Sequence, residues 1–172
     1  MAIKVINSQG TRVFIVDVPA TEWADCDAAT TAILAGKMVG CPQSLGDLTE
    51  TRPPTEYKCL SSNETAKILG AISRGSIDIG LLLDPDDAAG QGALRDAFHA
   101  NENKIIGIVL PNEPEKVAGT PASDGNGTIY WFEGGVSETS VKIEMDAAIL
   151  YSVKIEISSD ITECPAVAGK IG

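Results

Sequence analysis

From residue 76 the chain alternates. Ile77, Ile79, Leu81 and Leu83 interleave with Ser76, Asp78, Gly80 and Leu82. A period of two predicts a strand with one buried face. Further on the period lengthens, and Leu94, Ala97 and Phe98 recur at helical spacing. Between the two patterns lies Asp84-Pro85-Asp86-Asp87. Asp84 stands where a helix N-cap belongs, and Pro85 stands at the first helical position, where a missing N–H costs nothing. Asp86 and Asp87 add negative charge against the helix dipole. The expectation is a helix over about residues 85–99, capped by Asp84, Pro85 and Asp87. Leu94 and Phe98 would hold it to the sheet. An apolar strand, Ile105–Leu110, follows.

Most of the remaining pattern is also strand and turn. Ile3–Ile6 and Arg12–Val18 read as a pair joined by the turn cluster Asn7-Ser8-Gln9-Gly10. In Val141–Met145 and Ile149–Ile157, apolar and polar residues alternate, giving each a dry and a wet face. Ala28, Ala29, Ala32 and Ile33 suit a short helix within Thr21–Gly36, capped by Asp25 or Asp27, with Gly36 just past its end. Lys37–Val39 begins a strand and Pro42–Asp47 reads as a turn. Thr49–Leu60 favours strand but carries Pro53-Pro54, so it reads as an extended hairpin loop or edge. Asn63–Leu69 reads as a helical turn. Glu113–Asn126 is rich in Pro, Gly, Ser and Asp and should be a mobile surface loop. Many strands and one prominent helix predict a mainly β domain, a sandwich or barrel flanked by a helix.

Length and composition sharpen this. At 172 residues, 44% hydrophobic and 22% charged, the chain is one domain by length. No apolar run approaches the ~20 residues that span a bilayer. Met1–Val5 lacks a basic stretch followed by an apolar one, which predicts folding in the cytosol. The net charge is −11 and the basic residues are scattered, which argues against a surface that grips DNA. Cys26, Cys41, Cys59 and Cys164 form no Cys-x-x-Cys pair, so reduced thiols are expected, although Cys41 and Cys59 could face each other across a hairpin. His99 is the single histidine. A Ser-His-Asp site is therefore unsupported, and His99 at a helix end suits the dipole. The acidic run Asp84–Asp87 lacks the register and distal Glu of a Ca²⁺ loop. No catalytic residue, metal or cofactor is assigned.

The order of elements from about residue 37 to 160 resembles the major tail tube proteins of long-tailed, non-contractile bacteriophages of the lambda type. The correspondence rests on Ile77–Leu83, the acidic Pro-containing turn Asp84–Asp87, the Gln-Gly helix Gln91–Phe98 and the strand running into Pro111-Asn112. It continues through Tyr130-Trp131-Phe132-Glu133-Gly134-Gly135-Val136 and the final antiparallel pair. The insertion Glu113–Asn126 departs from the pattern. The resemblance implies a β-sandwich whose inner sheets join neighbours into a barrel around a channel. It implies hexameric rings stacked into a virion tail tube that encloses a tape measure protein and meets terminator and distal tail proteins. Double-stranded DNA would pass through without specific binding. Residues 40–60 would then be the inter-ring loop, with Thr49, Glu50, Arg52, Glu56 and Lys58 in contact. Asp78, Glu138, Glu144 and Glu156 are the candidate lumen acids. Tubes of contractile tails or secretion-type injection systems share this fold, and a β-sandwich carbohydrate-binding or adhesion module would share the strands.

Overall fold

A computed structural model describes residues 6, 8–19, 21–58, 60–61, 64–114 and 125–168. The strands are β1 (Arg12–Asp17), β2 (Lys37–Val39), β3 (Pro42–Leu45), β4 (Glu50–Thr51), β5 (Pro54–Lys58), β6 (Thr65–Leu69), β7 (Ser73–Arg74), β8 (Ser76–Leu82), β9 (Asn103–Val109), β10 (Ile129–Lys142), β11 (Leu150–Ile157) and β12 (Thr162–Cys164). The helices are α1 (Cys26–Leu34) and α2 (Gln91–Ala100). The mainly β reading holds, with two helices in place of one.

Eight strands form one antiparallel sheet in the order β2-β1-β9-β10-β11-β8-β3, with β12 beside the start of β10. The first and last strands of that order, β2 and β3, are consecutive in the chain and separated only by Gly40-Cys41. The sheet must therefore roll until its two ends meet. Cys41 makes the corner with φ +51°, a left-handed conformation that a non-glycine residue rarely adopts. The core agrees with the roll. Val13 of β1, Val39 of β2, Ile79 of β8 and Val153 of β11 belong to one buried cluster although β1 and β11 are two strands apart. Leu94 of α2 joins it. A second cluster lies on the other face of β1 and β9, where Phe14 and Val109 meet Ala29 and Ile33 of α1. This is why Arg12–Asp17 is apolar on both sides. A Cβ on Gly107 of β9 would overlap Ile33, so glycine there lets α1 sit down on the sheet.

The acidic run Asp84–Asp87 does not start the helix. α2 begins at Gln91 with Gly90 as its N-cap and no side-chain cap. Asp84 accepts from the Asp86 amide at 3.0 Å, an Asx turn, and Pro85 is an exposed turn residue outside the helix. Asp87 accepts from the amides of Gly90 (2.8 Å), Gln91 (3.0 Å) and Gly40 (2.9 Å). Burial pushes its carboxyl up, but these three N–H donors outweigh burial and hold it below the ordinary value. Buried Gln91 donates to the carbonyls of Leu82 (2.7 Å) and Gly40 (3.2 Å) and accepts from the Asp84 amide (3.1 Å). Gly90 lies so close to Val39 that a Cβ would stand 2.7 Å from its Cα. The segment is thus a staple across the seam between β2 and β3. At its far end α2 stops at Asn101, φ +53°, whose amide reaches the carbonyls of Ala97 and Phe98. Phe98 is only half-buried and leaves the core positions to Leu94 and Ala97.

Other boundaries move for similar tertiary reasons. Pro42–Leu45 is a strand because β8 offers it an edge. Residues 65–69 are a strand, β6, because β5 pairs with them. Tyr130–Val136 and residues 141–142 are parts of one 14-residue strand, with a bulge between Val136 and Glu138. For α1 the cap is Asp25, whose side chain accepts from the Ala28 amide at 2.9 Å. Cys26 and Cys164 are disulfide-bonded with Cα atoms 5.5 Å apart, tying α1 to β12, which corrects the expectation of reduced thiols at these two positions. Cys41 is free and exposed, while Cys59 lies outside the described residues. So do residues 3–5 of the first expected strand and residues 115–124 of the expected mobile loop. Asn126, at the end of that loop, is buried and bridges to Val167.

Candidate assembly surfaces

Residues 50–74 leave the body as a two-stranded arm. At its root, β4 pairs with β7, and the Gly75 amide donates to the Thr49 carbonyl at 3.1 Å. Beyond Pro53, β5 pairs with β6, and every residue of both strands is exposed. Pro54 opens β5, the strand position that tolerates a proline. Cross-strand partners share a face. One face of the arm carries the Glu56–Lys67 ion pair at 2.9 Å, with Lys58 and Thr65 beyond it. The other presents Thr55, Tyr57, Ala66 and Ile68. Tyr57 and Ile68 are 55% and 59% exposed, so this apolar face is uncovered in the single chain.

The expected inter-ring residues separate into two groups. Glu50 works at the root, where its carboxylate pairs with Arg74 (3.7 Å) and accepts from the Ile161 amide (3.3 Å). Arg74 also pairs with Asp160, and Thr49 closes the root through its carbonyl. Arg52, Glu56 and Lys58 lie on the exposed limb. The first part of the expected loop, residues 42–45, belongs to the body, and the second limb of the arm was hidden in the presumed helical turn.

A second uncovered apolar group is the tip of the β10–β11 hairpin. Val141, Ile143 and Met145 were expected on a dry strand face. They are 52%, 74% and 93% exposed because the hairpin runs past the body. Along Ser137–Lys142, β10 pairs with β11 on one side only, its pairing with β9 having stopped at Gly135, opposite Asn103. That leaves a strand edge open.

The outward face of β8, β11 and the second half of β10 is polar. Asp78 lies opposite Lys154, and Lys154 opposite Glu138, in one row across three strands. Glu156 sits on the same face, opposite Ser76 and Gly135. Ser44, Gly80, Ser140 and Ser152 fill the next row. Three of the four candidate lumen acids thus share one face of small and charged residues. Glu144 does not. It belongs to the hairpin tip and pairs with Lys142 at 2.9 Å.

A cleft of about 500 Å³ opens between the N-terminal end of α1 and the sheet. Trp23 and Trp131 form its aromatic wall, edge to face with ring centroids 4.9 Å apart. Glu22, Asp25, Glu133 and Asp160 ring it, and among the described residues no basic one lines it. The Trp131 indole N–H is shielded from water and has no hydrogen-bond partner. Composition did not flag this site, because Trp23 and Trp131 are distant in sequence and only the docking of α1 joins them.

No protein-family model matches the chain, and no curated protein is similar to it in sequence. Solved structures do match. A chain of the SPP1 tail tube superposes with a TM-score of 0.63 at 14% identity, over 98% of this chain and 81% of that one. A chain from the virion of a native gene transfer agent particle gives 0.60 at 10% identity, over 93% and 99%. A chain from the sheath/tube terminator structure of an extracellular contractile injection system gives 0.63 at 13% identity, over 95% and 99%. Identities this low carry the fold and not the chemistry. The fold of this chain is that of a tail tube subunit.

Proposed function

We propose that the protein is a virion structural protein that assembles into stacked hexameric rings, forming a phage tail tube through which double-stranded DNA leaves. The observation that carries this is the arm. Its apolar face meets no other part of the chain among the described residues, and such a surface calls for a partner. A second copy is the partner that a tube fold requires. The open edge of β10 supports ring closure by strand addition, and the arm supports contact with the next ring. The polar face of β8, β11 and β10 has no large apolar residue in its central rows to pack against protein, which suits a wetted channel wall. Asp78, Glu138 and Glu156 would line it and repel phosphate at short range, within a screening length of about 8–10 Å. A tape measure protein inside the tube, and terminator and distal tail proteins at its ends, complete the set of partners. The work lies in interfaces, and no catalytic role is assigned.

A tube of a contractile injection system is the second reading, favoured by the equal superposition on a chain of such a system. A carbohydrate-binding module is less well supported, since Trp23 and Trp131 pack edge to face in a cleft rather than form an open platform. Electron microscopy of the concentrated protein tests the reading. Tubes or rings of uniform diameter are expected, and dispersed monomers at every concentration would overturn it. Removing residues 50–74 and joining Thr49 to Gly75, which already touch, should leave a folded subunit that forms no tubes.

A further inference from the structure

We infer that the arm of one copy seats Tyr57 and Lys58, at the far end of β5, in the acidic tryptophan cleft of a neighbouring copy. The inference rests on the tube reading and names the contact that joins subunits. Charge is the first argument. Residues 50–74 hold Arg52, Lys58, Lys67 and Arg74 against Glu50, Glu56 and Glu64, a net +1 on a chain of −11. The arm is therefore opposite in sign to the rest of the chain. The cleft concentrates four acids and no base. Some of these acids have local duties: Asp25 caps α1, Glu133 accepts from Asn103 at 3.0 Å, and Asp160 pairs with Arg74. Among the described residues Glu22 has no hydrogen-bond or ion-pair partner, and it stands exposed at the cleft. Shape and chemistry are the second argument. Tyr57 is an exposed aromatic at the end of the apolar face, and Lys58 follows it on the other face. Tryptophan faces beside carboxylates suit an aromatic ring next to an ammonium group.

Geometry decides that the contact is between copies. Arg74 and Glu50 root the arm at Asp160 and Ile161, on the rim of the chain's own cleft. No described residue of the arm lines the chain's own cleft, and every residue of β5 and β6 is exposed. The far end of β5 is therefore free to meet another molecule. Arm and cleft are different surfaces, so every copy offers one of each. Such a heterologous contact propagates instead of closing as a dimer, which is what a stack of rings needs.

Trp23 and Trp131 are the only tryptophans, so intrinsic fluorescence reports on the cleft directly. Raising the concentration of the full chain until it assembles should shift tryptophan emission and reduce its quenching by acrylamide. Lys58→Glu should raise the assembly threshold by about an order of magnitude, through like-charge contact, with the fold unchanged by circular dichroism. Glu22→Lys should act likewise. The double variant K58E/E22K should restore assembly and the fluorescence change together. Tubes that form with no change in tryptophan emission or quenching would overturn the arm-in-cleft contact and leave the tube reading standing. A double variant no better than either single one would also overturn it. A wild-type chain that stays monomeric throughout would remove the tube reading and this inference with it.

Discussion

At the scale of single residues, Asp87 and Gln91 matter more than the residues that look like helix caps. Asp87→Ala strips the acceptor from three backbone N–H groups and should cost on the order of 3 kcal/mol. Asp84→Ala loses one Asx-turn bond and should cost under about 1 kcal/mol. Thermal denaturation of the two variants orders them. The sign of the pH effect follows from the lowered carboxyl of Asp87. Its folded pKa lies below its unfolded one, so the native state holds the proton less well. Its stabilisation is complete above about pH 4 and fades as pH falls through the folded value. The melting temperature of Asp87→Asn should therefore depend less on pH below 4 than that of the wild type. Leu94 and Phe98 separate in the same way. Leu94→Ala should cost about 2–5 kcal/mol as a fully buried truncation. Phe98→Ala should cost distinctly less, because its ring is partly in water and contacts His99 with centroids 5.4 Å apart.

At the scale of elements, the docking of α1 turns on a missing side chain. Gly107→Ala places a methyl where Ile33 lies and should destabilise by about 1–3 kcal/mol. Because the two sites touch, the effect should shrink in an Ile33→Ala background, a non-additivity that a double-mutant cycle measures. The helix is also held by the Cys26–Cys164 bond, which closes a loop of 138 residues. In the chain-entropy account a loop of this size is worth about 5 kcal/mol. Reduction should therefore lower the melting temperature, and Cys26→Ser should reproduce the loss without a reductant. α2 is fixed differently, by the seam staple at its start and by Arg95 over the Tyr151 ring at 5.6 Å. Burial of that tyrosine raises its hydroxyl pKa.

At the scale of the whole molecule, charge is distributed by surface. If the polar face of β8, β11 and β10 lines a DNA channel, the triple variant D78K/E138K/E156K should create phosphate contacts there. Tubes of that variant should retain linear double-stranded DNA, most strongly at low salt. Glu144→Lys, at the hairpin tip, should leave DNA retention close to that of wild-type tubes. Retention measured against salt concentration for the two sets separates a channel lining from an acidic surface that serves solubility alone.

What the sequence determined by itself were the local periodicities. Alternation marked β8 and β11, whose one face is buried so that a one-residue slip would expose the core, and short apolar runs marked β1 and β9. A cap at Asp25 or Asp27 and the alanine-rich stretch marked α1, and a Pro-Pro break marked one limb of the arm. Tertiary structure decided the rest, because the deciding partner lies far away in the chain. Asp84–Asp87 meets every local rule for a helix start, yet Asp87 is turned toward Gly40, 47 positions away, by the closing of the barrel. Residues 65–69 become a strand only because β5 lies beside them. Val141, Ile143 and Met145 alternate like a core strand, and their exposure follows from the length of the hairpin relative to the body. The cleft unites Trp23, Trp131 and the Cys26–Cys164 bond from three separated segments. Periodicity reports that a face is apolar. What covers that face, another part of the chain or another copy, is fixed by where the rolled sheet places it.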